Sequence, residues 1–261
     1  MISLIIAVYK RLDFLELVFA SLKQQTCKNF EVVIAEDARD EATARFIERM
    51  RLAAGFPVLH VSQQDDGFRK TTILNQAVRA STGEKLVFID GDCVLHPRFL
   101  ETYEKNIAPG YFYFGRRCMV SEPFTQELLA TKDLKKITLL NLIRSESRYV
   151  ENAVYIPLNF MPDKPYRQIW GCNWGVLRSQ VLAVNGFDQD YNEACAGEDL
   201  DIDWRLKATG LKIRSVKHQA IEYHLHHKVN YDKGVQLRME ALMATKIQTG
   251  RFFCQNGLTQ V

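Results

Sequence analysis

The chain has 261 residues, 47% hydrophobic and 25% charged, enough apolar material for one large core and too much for a disordered chain. A formal net charge of +3 excludes a strongly basic nucleic-acid binder, so nucleic acid is not expected as a partner; an anionic substrate or membrane surface remains compatible. The six cysteines, Cys27, Cys93, Cys118, Cys172, Cys195 and Cys254, contain no CxxC pair, which argues against a zinc site or disulfide framework and suits a reducing cytoplasm.

The apolar N-terminus runs straight into Lys10-Arg11 without a basic segment before it, and reads as a first strand, Ser3 to Val8, rather than a signal peptide. Leu12, Leu15, Val18, Phe19 and Leu22 then recur at helical spacing. Glu31–Ala35 reads as strand two, Thr43–Leu52 as a helix and Val58–Ser62 as strand three. Thr71–Ala80 is a helix with Ile73, Leu74, Ala77 and Val78 inward and Gly83 as its stop, and Lys85–Ile89 is strand four. Alternation of this kind predicts an α/β fold with a mainly parallel sheet covered by helices on both faces. Further on, Tyr111–Val120 reads as a strand, Asp133–Tyr149 as a partly amphipathic helix, and Ile169–Leu177 as a strand. No repeat, low-complexity tract, linker or bilayer-length apolar run interrupts the sequence.

Three clusters carry chemistry. The apolar run Val87-Phe-Ile ends in Asp90-Gly91-Asp92, delivering two carboxylates where open parallel sheets keep their ligand crevice. Hard oxygen ligands there suit Mg²⁺ or Mn²⁺ and a phosphorylated substrate, whereas a solvated Asp-Gly turn is the plain structural reading. Gly197-Glu198-Asp199 opens a helix, with acids in the first turn where the helix dipole favours them. Glu222-Tyr-His224-Leu-His226-His227 offers imidazoles to a divalent metal. On a strand His224 and His226 share a face; if the chain is turning, His224 and His227 converge.

The ordered set Ala7-Val8-Tyr9, Ala35-Glu36-Asp37, Asp65-Asp66-Gly67-Phe68-Arg69-Lys70 through Asn75, Asp90-Gly91-Asp92, Trp170-Gly-Cys-Asn173, Asn185-Gly-Phe-Asp188, Gly197-Glu-Asp199 and Tyr223-His224 resembles glycosyltransferase family 2 enzymes of the GT-A fold. It is also similar to chondroitin-polymerase-like modules and to the C-terminal part of β-1,4-galactosyltransferases. The resemblance implies that Ala7 and Tyr9 hold a nucleotide base and that Asp37 accepts from a uracil N3–H, hence a UDP-sugar donor. It also implies Asp92 and His224 as metal ligands, with His227 the alternative, Asp90 near the ribose and metal, and Asp199 as general base. Glu198 would hold the donor sugar or acceptor hydroxyls, and Asp66, Gly91 and Asn173 fall in the donor-binding motifs.

The chain departs from that pattern in places. The Arg-Asn often found in the third helix is Leu74-Asn75, leaving Arg69 or Lys70 to approach the nucleotide or diphosphate. The tryptophan usual before Gly-Glu-Asp is Cys195, leaving Trp170 or Trp174 as acceptor platforms. The resulting expectation is one GT-A domain over 1–261: a nucleotide-sugar half at 1–110, an acceptor and catalytic half at 111–231, and a helical extension at 232–261. The expected activity is metal-dependent, inverting transfer from a UDP-sugar to a glycan or glycolipid hydroxyl in bacterial polysaccharide or lipopolysaccharide synthesis. A non-catalytic binding module, or a sugar nucleotidyltransferase, is the alternative. Basic and apolar residues interleave in 133–149 and 233–253, so weak, salt-sensitive contact with the inner membrane face is also expected.

Overall fold

The computed structural model describes residues 1–158, 160–194, 197–228 and 232–260. Seven strands form the central sheet, in the order 58–62, 30–36, 2–8, 85–90, 174–177, 111–114 and 212–215. The N-terminal part is β1 (Ile2–Val8), β2 (Phe30–Glu36), β3 (Val58–Ser62) and β4 (Lys85–Asp90), paired parallel. The helices between them are α1 (Leu12–Lys23), α2 (Glu41–Ala54) and α3 (Lys70–Ala80). Because β1 and β2 are buried along nearly their whole length, they read as continuous apolar runs, as strands covered on both faces do. Two apolar layers result, one holding Leu15, Phe19 and Phe46 and the other Ile73, Val78 and Trp174.

The sheet continues past residue 110 through β8 (Trp174–Leu177), antiparallel to β4 and to β6 (Tyr111–Phe114), with β9 (Lys212–Ser215) parallel to β6 at the edge. A second, three-stranded sheet orders β5 (Cys93–Leu95), β10 (Glu222–His224) and β7 (Arg117–Met119). Its register sets His224 opposite Cys93, so this small sheet carries the histidines back to the end of β4. The remaining helices are α4 (Phe99–Asn106), α5 (Glu122–Thr131), α6 (Leu139–Arg144), α7 (Arg178–Ala183), α8 (Glu198–Ala208) and α9 (Lys233–Thr249).

Four local expectations are corrected. Tyr111–Val120 is not one strand: it breaks at 115–116, giving β6 to the large sheet and β7 to the small one. Gly115 stands at the break, where a Cβ would lie 2.2 Å from Asn173 Nδ2. Asp133–Tyr149 is not one helix but a 3-10 turn at Leu134–Lys136, capped by Asp133, followed by the short α6, capped by Thr138; two competing caps divide it. Only 174–177 of Ile169–Leu177 is strand. Helix α3 ends at Ser81, whose hydroxyl bonds the Val78 carbonyl. Gly83 serves another need, since a Cβ there would lie 2.6 Å from Ser3 Oγ.

Two motif segments turn out to be braces. The Asn75 amide donates to the Phe187 carbonyl and accepts from the Phe187 N–H, at 2.8 and 2.9 Å, pinning the 185–188 turn to α3. Arg205, buried in α8, bonds Asp201 through Nε at 2.7 Å and the carbonyls of Val184 and Gly186 at 2.8 Å. The tail after α9 returns to this turn through Asn185, which bonds the Cys254 and Thr259 carbonyls. No helix among the described residues is long and apolar enough to cross a membrane.

Candidate active site

The parallel strands align Ala7 with Asp90 on one side and Ala35 on the other, so the ends of β1, β2 and β4 open into one crevice. Asp90 and Asp92 stand there on a turn whose Gly91 N–H donates to the Ala7 carbonyl at 2.8 Å. A Cβ at Gly91 would meet that oxygen at 3.1 Å, which favours glycine in so close a turn.

Asp92 faces the histidines. Its Oδ2 lies 2.9 Å from His227 Nε2 and 3.4 Å from His224 Nε2, and one ligand atom from each of the three falls within 4.8 Å of the others. Strand β10 ends at His224 and the chain turns, so His227 converges on the site. His226 instead has its backbone N–H bonded to Thr125 Oγ1. Burial works against ionisation of Asp92, yet the two imidazoles hold its carboxyl down to about 2. Burial lowers His224, while the Asp92 bond raises His227. His224 Nδ1 is buried without a partner. One carboxylate with two imidazoles fits a divalent transition ion, and the imidazoles favour Mn²⁺ over Mg²⁺.

Lys70, at the start of α3, crosses from Asp90 Oδ1 (2.9 Å) to Glu198 Oε1 (3.4 Å). Burial alone would lower this amine, but Asp90, Glu198 and Asp199 together raise it. Asp199, in the first turn of α8, accepts from the Gly171 N–H at 3.0 Å and the Leu200 N–H at 2.9 Å. Burial and then the Glu198 charge push its carboxyl up to about 6. A buried carboxyl poised there can accept a proton near neutral pH. Lys70, Asp199 and Glu198 share a small cavity with Ala7, Leu74 and Gly171.

The remaining residues from the sequence are placed less centrally. Asp37 is buried at the end of β2, accepting from Gln63 Nε2 at 2.6 Å and the Arg69 N–H at 2.8 Å. Burial raises its carboxyl. It thereby anchors the 63–69 loop beside the crevice. Tyr9 is 53% exposed at the rim, its hydroxyl 3.4 Å from Asp65. Asp66 is exposed, 3.9 Å from Arg69. Asn173 is 1% exposed, its side chain consumed by Tyr103 at 2.6 Å and the Ala220 carbonyl at 3.1 Å, so it does not face the crevice. Trp174 is core, at 1% exposure, whereas Trp170 is 39% exposed and adjoins Gly171. Cys195 lies outside the described residues.

Sequence reasoning missed Glu222. Both its carboxylate oxygens are buried without a hydrogen-bond partner, and burial pushes its carboxyl well up. Its register opposite Arg117 on β10 and β7 becomes visible only once the small sheet is known. Also missed was the Arg116-Arg117 doublet beside Trp170.

A parallel sheet with a carboxylate turn at its switch point, a histidine pair beside it and an acid on a facing helix defines a GT-A glycosyltransferase fold. The pattern described as "Glycosyl transferase family 2" matches residues 3–157, and that described as "N-terminal domain of galactosyltransferase" matches 156–228. The chain belongs to glycosyl transferase family 2. It is 30% identical over 131 residues to an uncharacterized glycosyltransferase of Haemophilus influenzae, covering 48% of this chain and 42% of that protein. Chondroitin synthase of Pasteurella multocida is 24% identical over 232 residues, 82% of this chain and 24% of that protein. The chain thus spans less than half the length of these relatives.

Among solved structures, a mannosyltransferase of Pyrobaculum calidifontis with GDP-Man and Mn²⁺ superposes with a TM-score of 0.62 at 15% identity, over 95% of this chain and 64% of that one. TarS of S. aureus with UDP-GlcNAc gives 0.61 at 15% over 94% and 66%. GalNAc-T7 with UDP, GalNAc and Mn²⁺ gives 0.65 at 11% over 94% and 47%. At these identities the likeness shows the fold alone.

Proposed function

We propose that this glycosyltransferase is metal-dependent and inverting, transferring a hexosyl or N-acetylhexosaminyl group from a UDP-sugar to a hydroxyl of a glycan or glycolipid. The observation that carries the reading is the convergence of the Asp92–His224–His227 cluster with the Lys70-bridged acids Asp90, Glu198 and Asp199. Bound there by Asp92, His224 and His227, Mn²⁺ would neutralise charge developing on the diphosphate as it leaves.

The chain's own residues do the rest. Ala7, Tyr9 and the Asp37-anchored loop shape the nucleotide end of the crevice. Asp90 and Lys70 stand at the sugar-phosphate end, and Glu198 is placed to take sugar hydroxyls. Asp199 takes the proton from the acceptor hydroxyl as its oxygen bonds to the sugar C1 and the C1–O bond to UDP breaks. The electron pair leaves on UDP, and attack from the face opposite the leaving group inverts the anomeric centre. No further carboxylate is needed as a nucleophile, consistent with Glu198 being engaged by Lys70.

The parent pathway we propose is bacterial surface polysaccharide or lipopolysaccharide assembly, worked from the cytoplasmic side with weak membrane contact. Buried free thiols at Cys27, Cys93, Cys118, Cys172 and Cys254 suit such a reducing compartment. The test is incubation with Mn²⁺ and a panel of UDP- and GDP-sugars while free nucleotide is monitored. Slow release from one UDP-sugar supports the reading. Release from none, with no UDP binding, favours a non-catalytic module.

A further inference from the structure

Arg116 and Arg117 pack against Trp170, and Arg167 lies close enough to Arg116 for their charges to repel. The guanidinium carbon of Arg116 lies 4.4 Å and that of Arg117 5.2 Å from the ring centre, distances at which cation and ring attract. Burial, then repulsion from Arg167, holds Arg116 down to about 10. Its N–H groups reach only carbonyls, those of Gly115 at 3.1 Å and Gln168 at 3.2 Å. Among the described residues none of the three arginines is ion-paired to a carboxylate. The facing acids already have other partners. Asp203 is bonded by Lys207 at 2.6 Å and the Ile169 N–H at 3.1 Å. Glu222 stands opposite Arg117 in the register of β10 and β7. Arg117 is committed inward, toward Cys172 Sγ at 3.6 Å, whereas Arg167 is exposed.

A partly buried cation without a counter-ion is costly, and such a site is completed by an anionic ligand. Its place is specific. Trp170 precedes Gly171, whose N–H holds Asp199, so a group seated on the cluster adjoins the carboxylate that would receive the acceptor's proton. The neighbouring groove of Ile156, Leu158, Phe160 and Pro162 is also rimmed by cations, Lys164 and Lys217.

We infer that Arg116 and Arg167, beside Trp170, form an acceptor subsite for an anionic sugar, one bearing a phosphate or a carboxylate near the hydroxyl to be glycosylated. The inference rests on the transferase reading for its orientation toward Asp199. The phosphate or carboxylate lies between the two guanidiniums, and the sugar ring lies along Trp170 with its hydroxyl toward Asp199.

The experiment is ligand-observed NMR binding of glucose 6-phosphate, methyl β-glucuronide and neutral methyl β-glucoside to the full chain, at low and high salt, with UDP–Mn²⁺ binding measured separately. Both anions, or one of them, should bind about tenfold or more tighter than the neutral sugar, and lose that margin in Arg116→Gln, in Arg167→Gln and at high salt. The tighter anion identifies phosphate or carboxylate. Arg167→Gln changes an exposed side chain, so the test survives if Arg116→Gln fails to fold. Equal binding of charged and neutral probes, no saturable binding of either anion, or variants that bind the anions as tightly as wild type overturns the inference. So does competition between UDP–Mn²⁺ and the anions, which would assign the arginines to the donor. Wild type that binds the anions but no UDP–Mn²⁺ retains the subsite and removes the transferase reading instead.

Discussion

Lys70 Nζ stands 2.9 Å from Asp90 Oδ1 and thereby ties the end of β4 to α8, because the same amine lies 3.4 Å from Glu198 Oε1. The carboxylate turn and the acid helix are far apart in sequence, and this cation is where their charges meet. Its positive charge also favours ionised Asp199.

Lys70→Met should therefore move the acid limb of the kcat/KM profile to higher pH. An opposite charge close to a carboxylate is worth about 1–3 pKa units, so a two-unit move would leave Asp199 mostly protonated at pH 7 and cost about tenfold there. Steady-state rates across pH 5–9 would show it. An unmoved limb would mean that Lys70 acts on the donor alone.

In the wild type, kcat/KM should fall as pH drops through about 6, where Asp199 takes up its proton. Asp199→Asn should lose about 10²–10⁴-fold in turnover while UDP affinity stays within a few-fold. The same variant should be more stable at pH 7. A carboxyl raised in the fold above its ordinary value of 3.8 binds its proton more tightly folded than unfolded. Stability is therefore lost as pH rises from that value toward about 6, and the asparagine avoids the loss. Thermal melts of both proteins at pH 4 and pH 7 measure the difference.

Activity should require a divalent ion, vanish in excess chelator, and return more fully with Mn²⁺ than with Mg²⁺. Asp92→Asn, His224→Ala and His227→Ala should each weaken Mn²⁺ binding, read by calorimetry on the protein alone. His226→Ala should not, since His226 is not one of the three clustered ligands. Equal loss in His226→Ala would break the assigned ligand set.

Asp201→Ala should destabilise the protein by about 3–5 kcal/mol, because it strands the guanidinium of Arg205, which is 1% exposed, without its charge partner. Urea denaturation gives the value. Since Arg205 also grips the 185–188 turn, activity should fall with stability and recover when the variant is cooled.

The first hundred residues were legible because β1, β2 and β4 are apolar runs buried on both faces and the helices between the strands are amphipathic, so hydrophobic patterning marks them. Asp90-Gly91-Asp92 and Glu198-Asp199 were visible as abrupt acids beside apolar runs. What lay beyond reach depended on long-range pairing. Nothing local says that 111–120 splits between two sheets, that β10 lies between β5 and β7, or that His227 rather than His226 turns toward Asp92. The Asn173 motif misleads for a related reason, since its polarity serves a buried bridge between Tyr103 and Ala220. Likewise α8 buries Asp201 and Arg205 while its Trp204 stays partly exposed.

Sedimentation with anionic vesicles should carry down part of the protein at low salt and little at high salt. The same residues that would touch lipid include Leu237, 66% exposed on α9, and the exposed Phe252 and Phe253 that follow it. Absence of low-salt binding would remove the membrane contact.

The central claim is that Asp92, the two histidines and Asp199 form one UDP-sugar transfer site. Release of UDP from a UDP-sugar, followed for wild type, Asp92→Asn and Asp199→Asn with and without Mn²⁺, tests it most directly. The account predicts Mn²⁺-dependent release by the wild type, loss of release together with metal-dependent UDP binding in Asp92→Asn, and loss of release with UDP binding retained in Asp199→Asn. Release that persists in chelator, or undiminished in either variant, would contradict it.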